Sequence, residues 1–235
     1  MKMIRGDEIR QVVREHYAGR TATGCCADTN CCDGTAEEGL QGFIGPSLGC
    51  GSPLAYAALQ SGETVVDLGS GAGGDVLRAA QRVGSSGRAI GVDMTPEMIW
   101  KARQNARRLD VTNAEFRLGE IEHLPLSEAS ADAIVSNCVI NLVPDKALVF
   151  SEAFRALRPG GRLVVSDMVT AGSLPPSVRA DPAAWAACIA GAVDLDEYLA
   201  LIRAAGFERV ETVASTPGRP GQVFSATVRA IKPPA

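Results

Sequence analysis

The sequence is short of the features that announce several common functions. Its 235 residues hold only two histidines, His16 and His123, so an imidazole acid–base pair has little to draw on. His16 sits in an early helical stretch and His123 at most on the wall of a crevice, and both read as structural or solvent-exposed. No stretch approaches the roughly 18 apolar residues of a membrane span, and the opening MKMIRGDEIRQ lacks the apolar run of a signal peptide. A cytoplasmic protein with no membrane partner is the expectation. Lys and Arg are scattered and the formal net charge is -4, which leaves no electrostatic footprint for nucleic acid. No internal repeat is visible. What the chain does have is 46% apolar content, enough for one full core, and seven cysteines. In a reducing compartment an odd set of thiols reads as unbridged, ligating or catalytic rather than as a disulfide framework.

The apolar pattern predicts an α/β fold. Residues Asp7 to Tyr17 read as a short helix, followed by TATGCCADTNCCDGT, which is small, polar and without periodicity, hence a loop. Then ETVVDLG, RAIGVDM, AEFRLGE, ADAIVSN and RLVVSDM read as strands. The segments DVLRAAQRVG, PEMIWKARQNARRL and DKALVFSEAFRAL read as the helices between them. Thr95 is the expected N-cap of the second of these, with Pro96 in its first turn, and RPGG is the expected stop of the third. Alternation of this kind implies a mostly parallel sheet covered on both faces. FERVETVA and QVFSATVRAI, joined by the breaker-rich STPGRPG, read as an antiparallel C-terminal edge pair. A helical insert over residues 171–206 precedes them. The organisation expected is an N-terminal helix and Cys-rich arm over 1–44 and one main domain over 45–235.

The strongest motif is DLGSGAGG, residues 67 to 74, directly after the first strand. Gly69, Gly71 and Gly73 let backbone approach a ligand, Ser70 lies between the first two, and the next helix offers free N–H groups. Gly69, Gly71 and Gly74 also satisfy the dinucleotide fingerprint G-x-G-x-x-G. Asp67 argues against a dinucleotide, because a carboxylate beside the loop would repel a pyrophosphate. It suits S-adenosylmethionine, which carries an ammonium group and no phosphate. Asp93 ends the second strand where its carboxylate can accept from ribose hydroxyls, with Met94 beside it. In GEIEHLP, Glu120 and Ile121 are placed to meet an adenine. Asn137 and Cys138 end the strand VSN at the sheet edge where open α/β folds bind ligands. There Cys138 has four readings: methyl acceptor, metal ligand, soft anchor for a thiophilic substrate, or small buried hydrophobe.

These motifs resemble the class I, Rossmann-like methyltransferases that use S-adenosylmethionine. More narrowly, GVDMTPEMIWKARQNA, FRLGEIEHLPL, VSNCVINLVPDKALVFSEAFRALRPGGRLVVSDMV and DPAAWAACIAGAV resemble the arsenite methyltransferases, over roughly residues 45 to 210. The resemblance implies that Cys50, Cys138 and Cys188 hold trivalent arsenic, as arsenite or methylarsenite, and that its lone pair accepts the methyl group. It also implies that the 171–206 insert binds substrate. Cys50 would enter a transient disulfide, with thioredoxin or glutathione reducing the enzyme afterwards. No proton leaves the attacking lone pair, which fits the scarcity of histidine. Cys25, Cys26, Cys31 and Cys32 lack a standard zinc spacing and read as accessory thiols that capture or pass on substrate. Two other classes remain open on the residues alone. One is methylation of a small metabolite, which needs no thiol set; the other is a metalloid-binding protein without catalysis, which needs no DLGSGAGG. Antimony and other thiophilic centres fit the same thiols.

Overall fold

A computed structural model describes residues 6–19, 51–216 and 222–235. The chain opens with α1 (Gly6–Gly19) and, after the undescribed stretch, the short α2 (Pro53–Tyr56). A regular alternation follows: β1 (Thr64–Leu68), α3 (Gly74–Val83), β2 (Arg88–Asp93), α4 (Pro96–Arg108), β3 (Ala114–Leu118) and β4 (Ala131–Asn137). A 3-10 turn at Ile140–Leu142 leads into α5 (Lys146–Ala156) and the long β5 (Leu157–Thr170). The insert contributes α6 (Pro176–Arg179), α7 (Pro182–Ala186) and α8 (Leu195–Ala204), and β6 (Glu208–Ser215) and β7 (Val223–Ile231) end the fold.

The seven strands form one sheet in the order β3-β2-β1-β4-β5-β7-β6. β1 to β5 pair in parallel, and β7 pairs antiparallel with both β5 and β6. The order doubles back at β1, so β1 and β4 diverge at their carboxyl ends into the crevice that open α/β sheets use for ligands. One apolar layer lies over each face. α3 and α4 cover one with Val76, Leu77, Ala80 and Ile99; α5 and α8 cover the other with Val149, Phe150, Tyr198 and Ile202. The near-continuous apolar runs of β1 and β4 follow from burial on both faces.

Three details add to the sequence expectation. RPGG follows the end of α5 at Ala156, as expected of a helix stop, and itself runs within β5. Gly160 takes φ +77, and β5 begins at Leu157 with a bulge before its regular register resumes at Arg162. Thr95 occupies the N-cap of α4, yet its side chain makes no cap bond; its N–H is instead held by Asp93 at 2.9 Å. The helical insert also contributes to the main core, through Tyr198 and Ile202 of α8.

Candidate active site

The glycine turn after β1 is built by close approach. Gly69 takes φ +71, and a Cβ there would collide with Val139, the residue after Cys138. The N–H groups of Gly69 and Ser70 donate to the Val92 carbonyl at 2.8 and 3.0 Å, stitching the turn to β2. Asp93 completes the stitching: one carboxylate oxygen accepts from Gly71 N and the other from Thr95 N, each at 2.9 Å. Burial pushes the Asp93 carboxyl up, and these two N–H donors oppose that.

Asp67 is different. It is 4% exposed, and no donor among the described residues reaches its carboxylate. Burial pushes its pKa well above the usual carboxylate range, and the neighbouring Asp75 and Asp93 push it the same way. A buried, unpaired carboxylate beside two others is a site for a cation. That donor set fits a ligand carrying an ammonium or sulfonium charge and repels a pyrophosphate.

The cleft over this turn is lined by Asp67, Gly69, Ser70, Gly71, Asp93, Met94, Glu120, Ile121, Asn137 and Cys138, so these expected residues share one cavity. Gly73 stands apart: it caps α3 with its Cα pressed on Phe116, and Gly74 lines the cleft in its place. The Ser70 hydroxyl packs on Gly91 and has no partner among the described residues. The Asn137 amide is already engaged. Its Nδ2 donates to Gly51 O at 2.8 Å and its Oδ1 accepts from Gly51 N at 3.2 Å, which anchors the residue after Cys50 to the end of β4.

The sequence reading missed α1 as a wall of this cleft. Arg10, Val13 and Tyr17 project from it into the lining. Arg10 pairs with Glu122 at 2.8 Å, a carboxylate only 4% exposed. The i, i+4, i+8 spacing of Ile9, Val13 and Tyr17 is the sequence signal for one buried face of α1, and it does not say against what that face packs.

Where Cys138 lines the cleft the fold brings two cysteine segments together, with Cys188 behind the lining. Cys138, Cys188, Ile9, Val13 and Leu142 form a small cluster with Tyr17, Met94 and Trp185 packed on it. The Cys188 thiol donates to the Cys138 carbonyl at 3.5 Å, and the Tyr17 hydroxyl lies 3.8 Å from Cys188 Sγ. The expectation of unbridged cysteines fails at Cys138, which is disulfide-bonded. Thiols gathered for ligation also oxidise readily. Cys25, Cys26, Cys31, Cys32 and Cys50 lie outside the described residues. Among the described residues no cluster of three or more His, Cys, Asp or Glu side chains could hold a metal ion. His123 is exposed and outside the cleft lining. No helix among the described residues is long and apolar enough to cross a membrane.

A family profile described as "Methyltransferase domain" matches residues 59–206, more than half of the chain. The chain belongs to the methyltransferase-domain family. Its sheet, mostly parallel with antiparallel C-terminal strands, is the class I methyltransferase fold. It is 46% identical over 229 residues to an arsenite methyltransferase of Halobacterium salinarum, covering 87% of this chain and 59% of that protein. It is 43% identical over 176 residues to an arsenite methyltransferase of Aquipseudomonas alcaligenes, covering 72% of this chain and 50% of that one. Among solved structures it resembles an arsenic(III) S-adenosylmethionine methyltransferase from Chlamydomonas reinhardtii. There the TM-score is 0.62 and the identity 36%, over 74% of this chain and 64% of that one. The chain thus spans 50% to 59% of the length of these two curated relatives.

Proposed function

We propose that this methyltransferase moves a methyl group from S-adenosylmethionine to trivalent arsenic held by cysteine thiolates. The observation that carries this reading is the contact of Cys188 with Cys138, which lines the cation-accepting cleft. A methyltransferase acting on a carbon or oxygen centre has no use for two cysteine segments there. The relatives named as arsenite methyltransferases support the same substrate.

Bound in the cleft, S-adenosylmethionine supplies an electrophilic methyl group on a cationic sulfur. The chain would hold it through Asp67 at its ammonium, the free lone pairs of Asp93 at the ribose, and Glu120 and Ile121 at the adenine. The thiolates of Cys138 and Cys188 grip arsenic and leave its lone pair directed at the cleft, since a soft trivalent centre prefers sulfur ligands. α1 and the apolar cluster exclude water, and fixed alignment of the two reactants contributes on the order of 7–11 kcal/mol. Cys50 is the third thiol in this reading, with Gly51 beside it anchored by Asn137. Arsenite and methylarsenite are both substrates of this kind. Methylation leaves arsenic formally oxidised, so thiols must return electrons, and thioredoxin or glutathione is the class of reductant required.

The test is to incubate purified protein with arsenite, S-adenosylmethionine and a dithiol, and to separate and quantify the arsenic species. Cys138→Ser and Cys188→Ser run alongside. Methylated arsenic from wild type only, with cofactor binding intact in both variants, is expected. Cofactor binding by wild type without methylated arsenic would move the search to a small-metabolite acceptor.

A further inference from the structure

Besides the direct contact of the Cys188 thiol with the Cys138 carbonyl, the two cysteine segments are joined through a third residue, Asn141. Its side-chain Nδ2 donates to Met168 O at 2.5 Å and reaches Cys188 O at 3.4 Å. Its backbone N–H donates to the Asp167 carboxylate at 3.1 Å. Asn141 is fully buried in the 3-10 turn that begins just after Cys138. One side chain therefore touches the end of β5 and the Cys188 loop at once, while its backbone belongs to the Cys138 turn. The fit is close from the other side as well. A Cβ on Gly191, three residues after Cys188, would collide with the Asn141 carbonyl and stand 2.7 Å from Trp185. Gly191 has no positive φ, so close approach alone calls for glycine there.

We propose that Asn141 is a positioning residue that sets the separation of Cys138 and Cys188, and so makes them a two-point grip for a trivalent arsenical. This rests on the proposed substrate. Two thiolates grip one centre tightly only if the second is already in place when the first has bound, a gain of effective concentration that is lost when the geometry drifts. Neither cysteine segment is held to the other by regular secondary structure. Both residues also take positive φ, near +58 and +59, a conformation that persists only where the surroundings enforce it.

The probe is phenylarsine oxide, a trivalent arsenical that condenses with two thiols, forming two As–S bonds and losing its oxygen as water with the two thiol protons. Its affinity is measured on the reduced 235-residue chain with Cys25, Cys26, Cys31, Cys32 and Cys50 replaced by serine, so that only the two core thiols respond. Asn141→Ser is expected to weaken binding about tenfold or more. The same substitution in a Cys188→Ser background is expected to change nothing, because no second thiol is left to position. Gly191→Ala, which touches neither thiol nor the Asn141 side chain, is expected to reproduce the loss. S-adenosylhomocysteine affinity is expected to stay at the wild-type value in both variants. Equal losses in the two backgrounds, or loss of S-adenosylhomocysteine binding as well, would make Asn141 a prop of the fold and overturn the proposal. Wild-type affinity in Asn141→Ser would overturn it directly. The measurement needs no methyl transfer, so it separates a failure of this grip from a failure of the arsenite reading.

Discussion

The thiol of Cys188 rests on the backbone carbonyl of Cys138, 3.5 Å away, and both residues hold left-handed backbone. Neither is a glycine or asparagine, the residues that take this conformation at little cost. Two strained cysteines in contact, one after β4 and one after α7, mark a place where side-chain chemistry outweighs backbone comfort.

That strain reverses a familiar order of stability. Gly normally lies below Ala in an ordered segment, but at positive φ it lies above. Cys188→Gly is therefore expected to unfold at a higher denaturant concentration than Cys188→Ala, by about 0.5–1 kcal/mol. Both are expected to lose arsenite methylation alike. Chemical denaturation of the reduced proteins checks the first point and arsenic speciation the second.

Asp67 sacrifices stability for binding. Its buried carboxylate meets no donor among the described residues and faces two other acids, so Asp67→Asn is expected to stabilise the unliganded protein by about 1 kcal/mol. S-adenosylmethionine affinity is expected to fall about tenfold or more, as a charge-assisted contact is lost. Thermal unfolding and calorimetric titration read the two effects, which have opposite signs.

Arg10 joins α1 to the cleft. Arg10→Ala strands the Glu122 carboxylate, 4% exposed, without its guanidinium partner. A stability loss of about 1–3 kcal/mol is expected, less than for a fully buried pair because Arg10 is itself 26% exposed. Faster cofactor release in stopped-flow is expected with it, since α1 walls the cleft. Unchanged release would mean that α1 packs there without guarding the site.

Behind the thiol cluster, burial raises Asp167 to about 7, and burial lowers Lys146 to about 8. For Asp167 the folded pKa exceeds the unfolded one, so its stabilisation is complete below about pH 4 and drains away up to about pH 7. For Lys146 the folded pKa is depressed, so its stabilisation is complete above about pH 10 and drains away down to about pH 8. The pair alone produces a shallow stability minimum between the two folded values. Asp167→Asn is expected to flatten the acidic limb and, because the Asp167 charge supports the Lys146 ammonium, to extend the alkaline limb to lower pH, as followed by unfolding midpoints across pH.

Much of this architecture was legible from local chemistry. Apolar periodicity marked the strands and helices, and DLGSGAGG with Asp67 and Asp93 marked the cleft because a turn and the acid before it are neighbours in sequence. Other features depend on contacts that no local pattern encodes. β7 pairs with β5 and leaves β6 at the sheet edge, since order along the chain does not set order across a sheet. RPGG ends α5 as its residues suggest, but its place inside β5, with Gly160 at φ +77, depends on pairing with other strands. Asn137 lines the cleft where it was expected, but the clamp of its amide on Gly51, 86 positions away, could not be read from local sequence. Tyr17 was visible only as one apolar position among several, and its place beside Cys188 needs the packing of α1 on α7.

The most direct test is a single turnover. Reduced protein loaded with one equivalent of arsenite is mixed with methyl-labelled S-adenosylmethionine, and the label is located by mass spectrometry. The account predicts label on arsenic in wild type and none on arsenic in Cys188→Ser. Label on the sulfur of Cys138, or label that stays on the cofactor while arsenite remains bound, would contradict it.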